Sequence, residues 1–336
     1  MDPTSLLPLM LIVTGAASPG TQPAAAPLAN TYSIVARDPA TGEIGVAVQS
    51  HYFSVGPIVP WAEAGVGAVA TQSLVLVDYG PKGLELMRQG LTAPQALAAL
   101  VRIDTNPDVR QVAMIDTTGN IAAHTGPKCI PDAGQVVGDQ FSVQANLMAN
   151  DRVWPAMAAA YQSSAGDLAE RMLQALEAGQ QAGGDIRGRQ SAAMVVVCAR
   201  STGKPWRDRI IDLRVEDAPD PLKELRRLVR LRRAYNFEDL GDNFIAEKKS
   251  QEALAAYAAA AKLAPEIVEL QFWAAVSMFS SGQEQQALAT FRSVFAAEGH
   301  RWVDLIPRLA RVGLFPDDPD KIEQVQRQWP GHRRKP

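Results

Sequence analysis

Cysteine is scarce in this chain: Cys129 and Cys198 are the only two in 336 residues. They lack C-x-x-C spacing and sit in no cysteine-rich zinc pattern, which excludes a disulfide-dense scaffold. The four histidines, His51, His124, His300 and His332, are scattered, and no H-E-x-x-H or similar cluster appears. No metal and no cofactor is therefore expected. Net charge is also small, at −3, so no global field points to nucleic acid, and no nucleic-acid partner is expected. Long apolar runs are missing too. Leu6 to Ala17 spans 12 residues, too few to cross a bilayer, so no stable membrane span is expected once a leader is gone.

The residues that are present suffice to build cores. Hydrophobic residues make up 47% of the chain, and the length favours two domains over one. The Leu6 to Ala17 run fits the apolar region of a signal peptide, and a small, Pro/Ala-rich stretch to Ala29 comes after it. Residues 1–30 are thus expected to be a leader and the mature protein periplasmic or secreted. No Lys or Arg precedes the run and Asp2 is acidic; a plain N-terminal tail is the other reading. Ala29 is a small residue suited to a signal-peptidase cut, which would leave Asn30 attached.

The stretch Thr31 to Ser50 organises the rest of the chain. Tyr32, Ile34 and Val35 begin a strand, Asp38-Pro39-Ala40-Thr41-Gly42 carries turn chemistry, and Ile44 to Val48 returns. Small residues from Gly65 to Ser73 predict a buried strand after a loop at Gly56–Trp61. Tyr79 to Gly83 reads as a turn before a helix ending at Gly90. Thr92 and Gln95 form a capping-box pattern that opens a helix over 93–103. Thr117-Thr118-Gly119 joins strands at 109–116 and 120–125, and 141–147 is extended. Helices are expected over 152–162 and 167–181, then strands over 191–198 and 209–215. Strands, two helices, strands, two helices, strands: this order predicts an α+β domain of two packed sheets with helix pairs outside.

Residues 216–221 read as an acidic, proline-containing linker. With the basic helix to Arg233 they form a connecting segment, 216–233. Glu224, Glu238 and Asp239 offset that helix's charge, so a solvated face is favoured over a membrane or nucleic-acid site. Residues 234–336 are helical and carry a repeat. Ala253 and Tyr257 recur 34 residues later as Ala287 and Phe291. Phe237, Leu240, Gly241, Phe244, Ala260 and Pro265 complete the spacing of a tetratricopeptide helix pair.

Four groups are candidates for chemistry. Thr31, at the junction of leader and strand, would carry both a hydroxyl and a free α-amine if the chain were cut before it, and such an amine titrates near ~8. A strand-start Thr needs no such role. Asn146 ends a strand, where its side-chain N–H is suited to an oxyanion or to a turn. The loop Gly183 to Ser191 offers Asp185 to orient Arg187 or Arg189 toward a substrate carboxylate, or simply a salt-bridged loop. Ser50-His51 is a tempting nucleophile and base, but adjacent strand residues point to opposite faces.

Thr31-Tyr32-Ser33-Ile34-Val35-Ala36-Arg37-Asp38, Gly42 to Val48, Pro60-Trp61-Ala62 with Ala64 to Gln72, and Gly183-Gly184-Asp185 with Arg187 to Ala193 together resemble one bacterial family. This is domain-of-unknown-function family 1028, with an N-terminal-nucleophile (Ntn) hydrolase-like fold. The resemblance covers 31–215 and implies a four-layer αββα sandwich with its nucleophile at the first residue of the first strand, here Thr31. Members often begin Met-Thr, whereas this chain places 30 residues before that Thr, so activity requires processing. The expected protein is an exported amidohydrolase acting on a small-molecule or peptide amide. Thr31 is the expected nucleophile, Asn146 the oxyanion donor, and Asp185, Arg187 and Arg189 the substrate-binding set. The tetratricopeptide-like tail would recruit a protein partner or pack a homo-oligomer. The alternative is a non-catalytic binding protein on the same scaffold, acting through the tail.

Overall fold

The computed structural model describes residues 28–331; the greater part of the expected leader, 1–27, lies outside them. The first described strand is β1 (Leu28–Ala29), followed by β2 (Thr31–Arg37) and β3 (Ile44–Ser50). β2 and β3 pair antiparallel from Thr31↔Ser50 to Arg37↔Ile44. Their turn is tied by Asp38 Oδ1, which accepts from the Ala40 amide at 2.8 Å. Gly42 sits there at φ +75° with the Ala199 Cβ pressed against it, so a side chain would be strained and crowded.

Two antiparallel sheets take in the remaining strands: β4 (Pro60–Glu63), β5 (Gly67–Leu74), β6 (Arg110–Asp116), β7 (Ile121–Thr125), β8 (Gly134–Gly138), β9 (Phe141–Ala145), β10 (Ser191–Val197) and β11 (Arg209–Val215). One sheet runs β1-β5-β6-β7 with β4 also on β5; the other runs β11-β10-β3-β2-β9-β8. Period-2 alternation explains their burial on both faces. In β10, Ala192, Met194 and Val196 face one apolar cluster while Ala193, Val195 and Val197 face another. The second of these clusters lies between the sheets and is filled by small residues from both, including Val46, Ala68, Ala70 and Ala113.

Helices cover the outer faces. α1 (Tyr79–Arg88) and α2 (Ala93–Ile103) pack Leu84, Met87 and Leu97 on Val69, Val112 and Met114 of the first sheet. α2 opens with the expected capping box between Thr92 and Gln95. On the second sheet lie α3 (Val153–Ser163) and α4 (Leu168–Gln181), whose Met157, Met172 and Leu176 meet Tyr32, Ile34 and Met194. α1 starts at Tyr79, where a turn was expected, because Pro81 fits a helix's first turn. β4 replaces part of an expected loop, with Pro60 as its first residue.

After β10, α5 (Pro205–Asp208) is a single turn before β11. The expected linker is strapped to the sheets: the Ser54 amide donates to Glu216 O at 3.0 Å and the Ala218 amide to Gln190 O at 2.8 Å. α6 then runs unbroken over Pro221–Ala246, so the expected division at 233/234 falls inside a helix. Its first half buries Leu222, Leu225 and Val229 in the sheet-side core. Its second half carries Ala234 into a cluster with Ala253, Tyr257 and Ala260. The basic residues are largely paired: Arg226 with Glu170 at 2.9 Å and Glu177 at 2.7 Å, Arg233 with Asp167 at 2.5 Å.

The rest is helical: α7 (Ser250–Leu263), α8 (Val268–Ser280), α9 (Glu284–Glu298), α10 (His300–Arg311) and α11 (Pro319–Gln326). Ala253 and Tyr257 are buried on α7, and Ala287 and Phe291 at the matching places on α9. Gly241 lets α6 approach the Tyr257 ring, where a Cβ would come within 2.7 Å. Phe237 and Leu240, expected inside that helix pair, are 39% and 40% exposed. No described helix is long and apolar enough to cross a membrane.

Candidate active site

Thr31 stands where the chain passes from one sheet to the other. Residues 28 and 29 pair with β5 of the first sheet, while Thr31 begins β2 in the second. Its side chain is fully buried. Thr31 Oγ1 donates to Ala29 O at 2.7 Å and also lies 3.1 Å from Ser50 Oγ. The Thr31↔Ser50 register puts these hydroxyls side by side, as paired residues of an antiparallel ladder share a face.

The carbonyl just before Thr31 is held by two side chains. Ser50 Oγ donates to Asn30 O at 2.7 Å, and Arg187 Nη2 donates to it at 2.8 Å. Arg187 is in turn fixed by Asp185 through Nε–Oδ1 at 3.0 Å and Nη2–Oδ2 at 2.7 Å. Asp185 is only 3% exposed. Its remaining lone pairs take the backbone amides of Arg187 at 2.9 Å and His51 at 3.2 Å. A buried carboxylate satisfied this fully holds its partner in one orientation. Gly183, Gly184 and Gly188, all at positive φ, shape the loop that presents both residues.

Thr31's own carbonyl has a separate set of donors: the Asn146 amide at 3.1 Å, Gln72 Nε2 at 3.2 Å and Asn146 Nδ2 at 3.4 Å. Gln72 and Asn146 both also donate to Gln111 Oε1, at 2.7 and 2.9 Å. Ser33 and Gln144 extend this belt, Ser33 Oγ donating to Gln72 Oε1 and Gln144 Nε2 to Ser33 Oγ, each at 2.6 Å. The belt clamps the start of β2 in a low-dielectric interior, where unmade hydrogen bonds are costly. Burial also pushes the neighbouring Tyr32 hydroxyl well above its ordinary pKa, with the Asp185 charge adding to the effect, so it stays protonated.

Of the expected residues, Thr31, Asp185, Arg187 and Asn146 meet here. Asn146 acts on the carbonyl after Thr31, whereas an oxyanion formed by attack of Thr31 on its own preceding peptide bond would sit at Asn30 O. Arg189 does not join them. It reaches Asp220 at 3.5 Å, both side chains being about half exposed, with Gly188 at φ +115° standing between it and Arg187. Ser50 and His51 go separate ways: Ser50 Oγ engages Thr31 and Asn30, while His51 bonds Asp185 through its backbone. Ser50 as a partner of Thr31 escaped the sequence reading, and the signal for it is the hairpin register, which sets the two opposite each other. The glutamines had a signal too, as long polar side chains inside otherwise apolar strands. Among the described residues no group of three or more His, Cys, Asp or Glu is placed to hold a metal ion.

The chain is similar to known proteins over this same region. Residues 31–225 match DUF1028, a family of unknown function. The crystal structure of a DUF1028 protein from Silicibacter pomeroyi is 30% identical, covering 60% of this chain and 88% of that one with a TM-score of 0.54. No curated protein matches the chain. The matched span begins at the threonine held between Ser50 and the glutamine belt and ends within the first turns of α6, and by that match the chain belongs to the DUF1028 family.

Proposed function

We propose that this protein is an exported N-terminal-nucleophile amidohydrolase, built on a four-layer αββα Ntn-type sandwich, whose active form begins at Thr31. The observation that carries the reading is the pair of donors on Asn30 O: a hydroxyl at 2.7 Å and a guanidinium at 2.8 Å. Both are aimed at the one carbonyl that must become an oxyanion if Thr31 Oγ attacks the peptide bond before it. In that attack the Oγ–C bond forms and the C–N bond breaks. The Oγ proton ends on the Thr31 nitrogen, leaving an ester and a free amine. Water then hydrolyses the ester and releases the upstream chain. The freed amine is positioned to take the Oγ proton when an external amide is attacked, and Ser50 and Arg187 serve the second oxyanion as they served the first. Asn146 acts as a positioning residue on Thr31's carbonyl.

The experiment is a comparison of purified full-length wild type with Thr31→Ala and Thr31→Ser, monitored by mass over time and by release of amine from acyl-anilides. Wild type loses its upstream residues and turns over; Thr31→Ser does both more slowly; Thr31→Ala does neither. Processing and turnover in Thr31→Ala would remove the reading.

A second reading has an observation of its own. A cavity of about 540 Å³ among α6, α7 and α8 is lined by Glu238, Asp242, Glu269, Tyr257 and Trp273. A tetratricopeptide-like tail with such a groove suits a binding protein that acts through its helices. Retention of residues 28–30 in the protein recovered from its host would favour it.

A further inference from the structure

We infer that the substrate's acyl part is a peptide bound as an added strand on the edge of β5, in the place that Leu28–Asn30 fill in the intact chain. The inference rests on the N-terminal-nucleophile reading and adds a substrate class to it. When Thr31 Oγ takes the Asn30 acyl group, the product is a peptidyl ester of Thr31. An ester made from an external peptide amide is the same chemical species on the same oxygen. The residues that lead into Asn30 therefore trace the path of a substrate's acyl side.

That path is a strand. Leu28 pairs with Leu74 and Ala29 with Ser73, antiparallel. The other edge of β5 is taken by β6, and β4 covers the near edge only from Gly67 to Ala70. Departure of residues 28–30 thus uncovers backbone polar groups at Ser73 and Leu74, and buried groups of this kind need a replacement partner. An extended peptide supplies it, and β-augmentation is a general mode of peptide recognition.

Burial along the path grades the subsites. Asn30 is 2% exposed, Ala29 0% and Leu28 49%. The position next to the cleaved bond takes a side chain of asparagine's size, and Asn30 Oδ1 is buried there without a partner. The next position is enclosed in the apolar cluster between the sheets, so a side chain larger than alanine is disfavoured there. The third opens to solvent and is indifferent to side chain. Turnover takes the same route as release of the upstream chain: Oγ–C forms, C–N breaks, the Oγ proton passes through the Thr31 amine to the leaving amine, and water releases the acid.

The test uses the full chain after loss of residues 1–30 and the probe acetyl-Leu-Ala-Asn-anilide. Replacing its Ala by Phe, or methylating that Ala's nitrogen and the Leu nitrogen together, is expected to lower kcat/KM by at least about tenfold, the scale of one lost buried contact or hydrogen bond. Replacing its Leu by Lys is expected to change kcat/KM by less than about threefold. Binding of acetyl-Leu-Ala-Asn-amide, read by calorimetry, is expected for the processed chain and absent in unprocessed Thr31→Ala, whose own segment fills the edge. Equal turnover of all four anilides overturns the inference. So does a processed, Thr31-dependent amidase that fails to bind the peptide amide, and in that case the nucleophile reading stands. Activity that survives in Thr31→Ala removes the nucleophile reading and the inference together.

Discussion

Arg187 joins three things: a buried carboxylate, the peptide carbonyl before Thr31, and the glycine loop that carries it. Its guanidinium fork makes the geometry, so charge alone should not replace it. Arg187→Lys is expected to slow loss of the upstream segment by roughly a hundredfold, the usual cost of one oxyanion donor, with an unchanged circular dichroism spectrum. Ser50→Ala should slow it comparably, and Arg189→Ala should leave it unaffected because Arg189 pairs with Asp220 instead. A time course of intact mass checks all three. Thr31 was legible from its place at the start of the first strand and from the family resemblance, and Asp185 and Arg187 from the paired glycines beside them. Arg189 was indistinguishable from Arg187 in sequence, since both come within four residues of Asp185 and only the backbone at Gly188 separates them. At the other end of the chain, burial chiefly, then the charges of Glu269, Asp242 and Asp239, push the Glu238 carboxyl up to about 7. The folded state then binds this proton more tightly than the unfolded state. Stability is therefore lost as pH rises from the ordinary carboxylate range through about 7, and the loss is complete above it. Glu238→Gln is expected to remove this slope and raise the melting temperature at pH 8 by about 1 to 3 °C, with little change at pH 4.

At the scale of elements, α6 runs straight through the boundary that the sequence suggests at 233/234. A basic run after a proline-rich acidic stretch reads as a connector, yet Leu222, Leu225 and Val229 complete the core over the second sheet. Periodicity shows that a helix has an apolar stripe; it does not say which body the stripe faces. Leu225→Ala is expected to cost about 2–5 kcal/mol in the β-sheet domain, measured by denaturant unfolding followed at the sheet signal. Proteolytic cutting within 216–221 should destabilise that domain for the same reason, and cutting at 247–249, past the end of α6, should not. The strands β2, β3, β5, β6, β7, β9, β10 and β11 were readable from apolar or small-residue runs, from alternation, or from the turn signals between them. β1, β4 and β8 escaped: β1 and β4 are short and owe their pairing to an edge of β5 that only the folded sheet creates, and β8, a glycine-bounded segment, lies at the edge of the second sheet against β9.

In the whole molecule, the upstream segment is part of the structure and, under the proposed function, also the thing to be removed. Residues 28–30 bridge the sheets and put the Asn30 carbonyl under Ser50 and Arg187, while the same peptide bond keeps the Thr31 nitrogen from acting as a base. The length indicated two domains, and the order of strands and helices indicated two sheets with helices outside. The passage of residues 28–29 into the first sheet depends on contacts between positions more than 40 residues apart, which no local pattern records. Everything in the proposed chemistry turns on Thr31 becoming the first residue. This is tested most directly by the N-terminal residue and intact mass of the protein recovered from the compartment where it is active. The wild-type chain is expected to begin at Thr31, and Thr31→Ala to be recovered still carrying Asn30. A wild-type chain that is active and begins upstream of Thr31 would contradict that chemistry.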